Sequence, residues 1–182
     1  MSANEEVGVT TFIRHIWLTF VLTMIVSAAE QGGLRAVLEV PQQRRSAPGI
    51  TLQEASGNIF DLKQYRGKVV LLNFWATWCH GCGEEIPWFS EFYGKYSAKG
   101  LAVVGVSMDA DGWKVVKPFA KSAHIPYTIV LGTDKAGKDY GIEGMPDSFL
   151  IDREGRIAAA YRGLVDRYDI ETNIENMVTS RP

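Results

Sequence analysis

The chain alternates between apolar runs and polar, turn-forming stretches, and the period of the apolar positions predicts its secondary structure. Residues 68–76 (KVVLLNFWA) and 101–107 (LAVVGVS) are nearly continuous apolar runs with β-branched members, which is typical of strands covered on both faces. Between them, residues 79–99 carry apolar side chains at every third or fourth position, which predicts a helix facing the sheet. These side chains are Ile86, Phe89, Phe92, Tyr93 and Tyr96. The order strand, helix, strand favours a parallel pair with a right-handed crossover.

The flanking segments predict the rest of an α/β domain with a mixed sheet. Before the first run, residues 50–52 and 59–62 flank a turn-like Ala-Ser-Gly-Asn stretch, which indicates a β-hairpin. After the second run, the pattern predicts a helix over 109–122, a strand over 125–131, a helical turn over 135–140, a hairpin of 148–152 with 156–162, and a closing helix over 166–178. We therefore expect a folded domain over residues 50–182. Residues 30–49 are rich in Gly, Pro, Gln and Arg, and predict a linker or a loosely held arm.

The first residues of the chain resemble a secretory signal. Residues 16–26 (IWLTFVLTMIV) carry no charge, follow Arg14 and His15, and precede the small residues Ser27-Ala28-Ala29. Signal peptides have an apolar core of about 7–15 residues, whereas a membrane-spanning helix needs about 20. We expect residues 1–29 to be a signal peptide cleaved after Ala29, with an uncleaved anchor formed by residues 16–29 as the alternative. Either way, the domain would work in the periplasm or another extracytoplasmic compartment, where disulfides persist.

Composition and charge exclude several classes of protein. The 182 residues are 46% hydrophobic and 22% charged, which is ordinary for a folded domain and unlike a fibrous or disordered chain. Nineteen basic residues against 21 acidic ones give a formal net charge of -2, and no basic stripe is visible, so nucleic acid is not an expected partner. The chain has only two cysteines, which excludes both a disulfide-stapled miniprotein and a four-cysteine zinc site.

The two cysteines form a CxxC motif, Cys79-His80-Gly81-Cys82, between a predicted buried strand and a predicted helix. Unsatisfied N–H groups and the partial positive charge of a helix N-terminus favour a thiolate, so Cys79 is expected to have a depressed pKa and to be the nucleophile. Cys82, one helical turn further on, can attack the mixed disulfide and release the partner. His80 would modulate the pair if its protonated ring stabilised the thiolate; the alternative is a solvated side chain without influence.

Other uses of the cysteine pair are less consistent with the sequence. A structural disulfide here would close a loop too short to remove much chain entropy. A metal site with a histidine lacks a second CxxC or a nearby His-x-His, so no metal is expected, although copper binding by the reduced pair stays open as an alternative. Trp75, Trp78 and Trp88 surround the motif and either form an apolar docking surface, with Trp78 contacting substrate, or belong to the core.

Several motifs together resemble one known family. Residues 73–82 (NFWATWCHGC), followed by Glu85-Ile86-Pro87, are similar to the active-site segment of the TlpA/ResA-like thioredoxin-fold proteins, which include those that serve cytochrome c maturation. Gly67-Lys68 before the central strand, Gly144-Met145-Pro146, and residues 149–155 (FLIDREG) match the same family in order. The resemblance covers about residues 50–163.

The resemblance implies a fold and a set of site residues. The fold is the thioredoxin fold, a central mixed sheet flanked by helices, with an N-terminal β-hairpin and an inserted helix and strand within residues 109–140. Pro146 matches the family's cis-proline, which lies beside the disulfide and presents the main chain of Met145 to an extended substrate segment. Glu85 matches an acidic residue near the cysteine pair, which would have a raised pKa and exchange a proton with Cys82. The alternative for Glu85 is an ordinary glutamate on the helix surface.

The resemblance also implies an activity: an exported thiol-disulfide oxidoreductase that reduces protein disulfides such as those of apocytochrome c. Its partners would be protein thiols and disulfides and a membrane electron donor, and it would need no cofactor beyond the redox-active pair. A disulfide-forming oxidant and a copper-delivery module are the alternatives, while Ala76 argues against a peroxidase because that group has a threonine there. The chain departs from thioredoxin in having Asn73 in place of a buried aspartate, and Asp147 after the proline adds negative charge near the substrate groove.

Overall fold

A computed structural model of the protein describes residues 33–180, and the predicted signal peptide or anchor at 1–29 lies outside these residues. The strands are β1 (Thr51–Glu54), β2 (Ile59–Asp61), β3 (Val69–Trp75), β4 (Leu101–Ser107), β5 (Thr128–Leu131), β6 (Asp147–Ile151) and β7 (Ile157–Arg162). The α-helices are α1 (His80–Tyr96), α2 (Trp113–Ser122), α3 (Asp134–Tyr140) and α4 (Arg167–Thr179). None of the helices within 33–180 is long and apolar enough to cross a bilayer.

The strands form one seven-stranded mixed sheet in the order β2-β1-β5-β4-β3-β6-β7. The strands β3 and β4 pair in parallel and are joined through α1, as the alternation of apolar runs predicts. The strand β5 continues the parallel part, and the N-terminal hairpin adds to it because β1 pairs antiparallel with β5. On the other side, β6 and β7 form the predicted antiparallel hairpin. The thioredoxin fold implied by the resemblance is confirmed.

Both faces of the sheet are covered, and alternate residues of β3 point to different apolar clusters. Val69 and Leu71 pack with side chains of α1 and α4, whereas Val70 and Leu72 pack with the hairpin and α3. All seven residues of β3 are buried, as a strand between two layers requires. A third cluster, at the carboxyl end of β3, contains Trp75 and both cysteines. The topology therefore places the CxxC motif at the end of the most protected strand.

Two elements begin later than the apolar pattern predicts, each for a local reason. The strand β5 begins at Thr128 rather than at residue 125, because Pro126 has no N–H to give to the sheet. The helix α2 begins at Trp113 rather than at Asp109. Gly112 precedes it with a positive φ of 56°, and the Asp109 side chain is engaged elsewhere, as described below.

The predicted linker is hydrogen-bonded to the domain from Leu34 onwards. The Glu39 N–H donates to Ala158 O (2.8 Å), and the Ile157 N–H of β7 donates to Arg45 O (2.8 Å). Leu34 forms a parallel bridge with Val165 just before α4. The domain therefore includes residues 33–49, which we call the arm. Its main-chain hydrogen bonds are not encoded by residue type, which is why composition indicates only a linker.

Candidate active site

The CxxC motif lies where β3 leads into α1. The helix begins at His80, Cys79 is its N-cap, and Cys79 and Cys82 form a disulfide. The Cys82 N–H donates to the Cys79 Sγ atom at 3.2 Å, so a main-chain dipole already points at this sulfur. Cys79 is 9% exposed and Cys82 is fully buried. The arrangement therefore leaves Cys79 as the sulfur that a partner can reach, with a helix N-terminus positioned to stabilise its thiolate.

The loop before Cys79 is fixed by Asp109, a residue that the sequence pattern predicts only as the start of a helix. The Asp109 carboxylate accepts hydrogen bonds from the Thr77 N–H (3.0 Å), the Thr77 hydroxyl (2.6 Å) and the Ser107 hydroxyl (2.8 Å). Asp109 follows β4, and the carboxyl ends of the parallel strands β3 and β4 meet at the same edge of the sheet. A carboxylate two residues after the second buried run was the signal for this contact. Asp109 therefore ties the two strand ends together beneath the motif.

Pro146 and Met145 lie on the other side of the disulfide loop. The Met145–Pro146 peptide bond is cis, as the resemblance implies. A Cβ atom at Gly81 would lie 3.5 Å from the Pro146 ring, so the proline packs against the middle of the CxxC motif. Met145 packs against the cluster that contains both cysteines, and it precedes β6, so its main chain stands outside the strand pairing. A groove lined by residues 143–147 continues from this point.

The three tryptophans near the motif divide between core and surface. The side chain of Trp75 is buried among the cysteines, and Trp88 is half-buried against the main core. Trp78 is 71% exposed, directly before Cys79. Trp78 is therefore available to contact a partner of the disulfide, whereas the core alternative holds for Trp75.

His80 lies in solvent. Its side chain is 97% exposed, and its Nε2 atom is 3.5 Å from a carboxylate oxygen of Glu84 on the next turn of α1. Among the described residues, the structure shows a contact of the ring with Glu84 and none with the cysteine sulfurs. The geometry favours the solvated alternative over the modulating one.

Glu85 is fully buried, which rules out the surface alternative for this residue. Its Oε1 atom accepts a hydrogen bond from the Val165 N–H (2.8 Å), and its Oε2 atom accepts one from Asn73 Nδ2 (3.3 Å). The same Asn73 nitrogen donates to the Ser148 hydroxyl at 3.0 Å. Glu85 is one turn of α1 beyond Cys82, and both side chains lie on the buried face of the helix. Position 85 lies four residues before Phe89, on the apolar stripe of α1, and this spacing is a sequence signal for its burial.

Burial raises the pKa of Glu85 from its ordinary value of 4.5 to about 8. Loss of hydration is the main cause, and the nearby carboxylates of Asp147 and Glu84 raise the pKa further. The hydrogen bonds from Val165 and Asn73 oppose the shift because they stabilise the carboxylate. At neutral pH the disulfide form therefore holds a proton on Glu85, one helical turn from Cys82.

Asp147 contributes less free charge to the groove than its position after Pro146 predicts. It is 4% exposed, and its carboxylate accepts a hydrogen bond from Arg162 Nη1 at 2.8 Å. Desolvation raises the pKa of Asp147, and the Arg162 guanidinium opposes that shift. The predicted negative charge is thus paired with Arg162 of the neighbouring strand.

Comparison with known proteins agrees with this geometry. The model of the AhpC/TSA family matches residues 44–160. The thiol-disulfide oxidoreductase ResA of Bacillus thuringiensis is 34% identical over 137 residues, which are 73% of this chain and 77% of the relative. ResA of Geobacillus thermodenitrificans is 33% identical over 133 residues, which are 72% and 76% of the two chains.

Solved structures agree as well. The thiol:disulfide interchange protein DsbE from Chlorobium tepidum superposes with a TM-score of 0.71 at 32% identity, covering 78% of this chain and 99% of that one. A thiol:disulfide interchange protein from a Bacteroides species gives a TM-score of 0.67 at 30% identity, covering 75% and 90%. Fold, CxxC disulfide and relatives agree: the chain belongs to the AhpC/TSA family and is a thiol-disulfide oxidoreductase of the ResA-like group.

Proposed function

We propose that this protein is an exported reductant of protein disulfides, apocytochrome c among them, in which Cys79 attacks, Cys82 resolves and Glu85 carries the proton. The observation that supports these roles most directly is the asymmetry of the pair. Cys79 keeps 9% of its surface exposed and has an amide directed at its sulfur, whereas Cys82 is fully buried on the face of α1 that also carries Glu85.

The proposed reaction transfers two electrons from the dithiol to the substrate. The Cys79 thiolate attacks one sulfur of the substrate disulfide, which breaks that bond, forms a mixed disulfide and releases the other substrate sulfur as a thiolate. Cys82 then loses its proton to the Glu85 carboxylate and attacks Cys79 Sγ. The Cys79–Cys82 bond forms, and the second substrate sulfur leaves as a thiolate that takes a proton from water. The raised pKa of Glu85 in the disulfide form suits this role, because the product state is the one that must keep the proton.

The surface around Cys79 suits a polypeptide substrate. Trp78 offers an exposed aromatic ring beside the reactive sulfur, and the main chain of Met145 lies free of strand pairing on the other side. An extended segment can bond to such main-chain groups while its cysteine meets Cys79. Trp78, Met145 and Pro146 are therefore the proposed substrate-binding residues.

Export is proposed from the sequence, and re-reduction of the disulfide from the electron balance of the reaction. The uncharged run at 16–26 and the small residues after it support a signal peptide or an anchor at 1–29. A dithiol that reduces substrates outside the cytoplasm must regain two electrons after each turnover, so we propose a membrane electron donor as the second partner.

The equilibrium reduction potential of the Cys79–Cys82 couple tests the proposal. The reduction potentials of reductants such as thioredoxin are about −270 mV, and those of strong oxidants are about −120 mV. A potential close to the first value, together with reduction of an apocytochrome c disulfide, would support the assignment. A potential close to the second would make the protein an oxidant, and stoichiometric copper retention by the dithiol without reductase activity would make it a copper module. The Cys79→Ser variant is the control, because it cannot form the mixed disulfide.

A further inference from the structure

The arm contacts the segment of main chain that bonds to Glu85. The Leu34 N–H donates to Leu164 O (2.7 Å), and the Asp166 N–H donates to Leu34 O (2.8 Å). These two bonds form the parallel bridge between Leu34 and Val165. The two bridge bonds use main-chain groups of Leu164 and Asp166, the residues on either side of Val165. The N–H of Val165 itself therefore points away from the arm. That N–H donates to Glu85 Oε1 at 2.8 Å.

The contact between the arm and this segment is closer than a side chain at position 33 would allow. A Cβ atom on Gly33 would overlap the carbonyl group of Val165 and lie 2.5 Å from the Asp166 nitrogen. All of these are main-chain atoms, which cannot rotate aside. Position 33 therefore needs glycine for the arm to lie as it does.

We propose that Gly33 and Leu34 are positioning residues for the active site: they clamp residues 164–166, hold the Val165 N–H against the Glu85 carboxyl group, and keep water away from it. Val165 is 1% exposed and Glu85 is fully buried, so the clamped segment forms the wall of the carboxyl site on this side. This inference rests on the proposed function in one respect: the role of Glu85 in turnover.

The other groups around Glu85 do not belong to the arm. The charged ones are Asp147 on β6, which is paired with Arg162, and Glu84 on α1 itself. Burial raises the pKa of Tyr127, before β5, and the nearby Glu85 charge raises it further. Further along the arm, the exposed Arg35 side chain binds the Asp166 carboxylate (3.2 Å), which is only 11% exposed, and this ion pair holds the arm in place. A change at position 33 or 34 therefore alters the wall without altering the charges that face Glu85.

The substitution Gly33→Ala adds one methyl group and forces the arm off residues 164–166. Water then reaches Glu85, and since desolvation is the largest cause of the raised pKa, the carboxyl group should ionise at lower pH. The matched control is Gly49→Ala in the same arm, where a Cβ would lie 3.8 Å from Lys63 Cε, an ordinary contact. The second variant, Leu34→Pro, removes the N–H that donates to Leu164 and leaves the buried core untouched, since Leu34 is 46% exposed.

The readout is an infrared titration of the full chain in its disulfide form. The carbonyl band of the protonated Glu85 carboxyl group is identified by its loss in Glu85→Gln and followed against pH. We expect a midpoint near pH 8 in the wild type and in Gly49→Ala, and a midpoint lower by about one unit or more in Gly33→Ala and Leu34→Pro. Circular dichroism confirms that each variant is folded.

An infrared midpoint that stays at the wild-type value in Gly33→Ala and Leu34→Pro, or that rises, would overturn the inference. The pH dependence of turnover separates it from the proposed function. A lowered infrared midpoint with an unchanged pH profile of turnover would leave the clamp established and refute the proton-carrying role of Glu85. A lowered midpoint with a pH profile shifted in the same direction would support both.

Discussion

The buried carboxyl group of Glu85 should make the stability of the disulfide form fall with rising pH. In the unfolded chain this carboxyl ionises near pH 4.5, whereas in the folded protein it stays protonated until about pH 8. Below pH 4.5 the carboxyl group is protonated in both the folded and the unfolded state. Between pH 4.5 and pH 8 only the folded state holds the proton, so each added pH unit lowers the free energy of unfolding. Above pH 8 the group is ionised in both states, and the free energy of unfolding falls no further on its account.

The magnitude follows from linkage. One pH unit in this window costs about 1.4 kcal/mol, so the loss from about pH 5 to about pH 8 amounts to about 4 kcal/mol. This is a large share of the roughly 5–15 kcal/mol that stabilises a typical domain. Substitution of Glu85 by Gln removes the titrating proton and keeps an acceptor for the Val165 N–H. The contribution of this position to the pH dependence of stability then disappears.

Urea unfolding across this pH range measures the effect. We expect the free energy of unfolding of Glu85→Gln to gain about 4 kcal/mol relative to wild type between about pH 5 and about pH 8. Glu84→Gln is the matched control: its side chain is 47% exposed, and it should keep nearly the wild-type slope. Parallel curves for wild type and Glu85→Gln would refute the reasoning, because they would show that the Glu85 carboxyl ionises at its ordinary pH in the folded protein.

Three further substitutions test other parts of the site. Asp109→Ala leaves the Thr77 N–H and hydroxyl without their acceptor; we expect a loss of about 2–3 kcal/mol in urea unfolding, with partial recovery in Asp109→Asn. Trp78→Ala should leave stability unchanged, since the side chain is 71% exposed, but raise KM for a protein disulfide and not for a small disulfide reagent. Arg162→Met strands the buried Asp147 carboxylate; because the Arg162 side chain is 43% exposed, we expect about 2 kcal/mol of destabilisation, most of it recovered by adding Asp147→Asn.

The elements around the active site could be predicted because their signals are local. The apolar run of β3, the stripe of α1 and the position of Cys79 at the helix start are all properties of short stretches of sequence. The same stripe passes through position 85, so the burial of Glu85 was predictable from period as well as from resemblance. The identity of its bonding partners was not, because Val165 is 80 residues away in sequence and donates a main-chain group.

The features that sequence did not predict depend on contacts between distant segments. The pairing of β1 with β5 places the hairpin at the far side of the sheet, and no local pattern encodes that choice. Likewise, the Asp109 carboxylate reaches Thr77 only because β3 and β4 are parallel neighbours. The composition of the arm predicts a linker because its residues favour no regular element, yet its main chain forms hydrogen bonds with β7 and with the segment before α4.

The arm also affects how the protein behaves among its own copies. A strand at the edge of a sheet displays unpaired N–H and C=O groups, which can recruit a strand from another molecule and start aggregation. One edge of this sheet is β2, which has only three residues; at the other edge, the arm already bonds to Ala158 and Ile157 of β7. A shortened protein beginning at Ile50 would uncover that row of main-chain groups, so the arm protects the domain against edge-to-edge association.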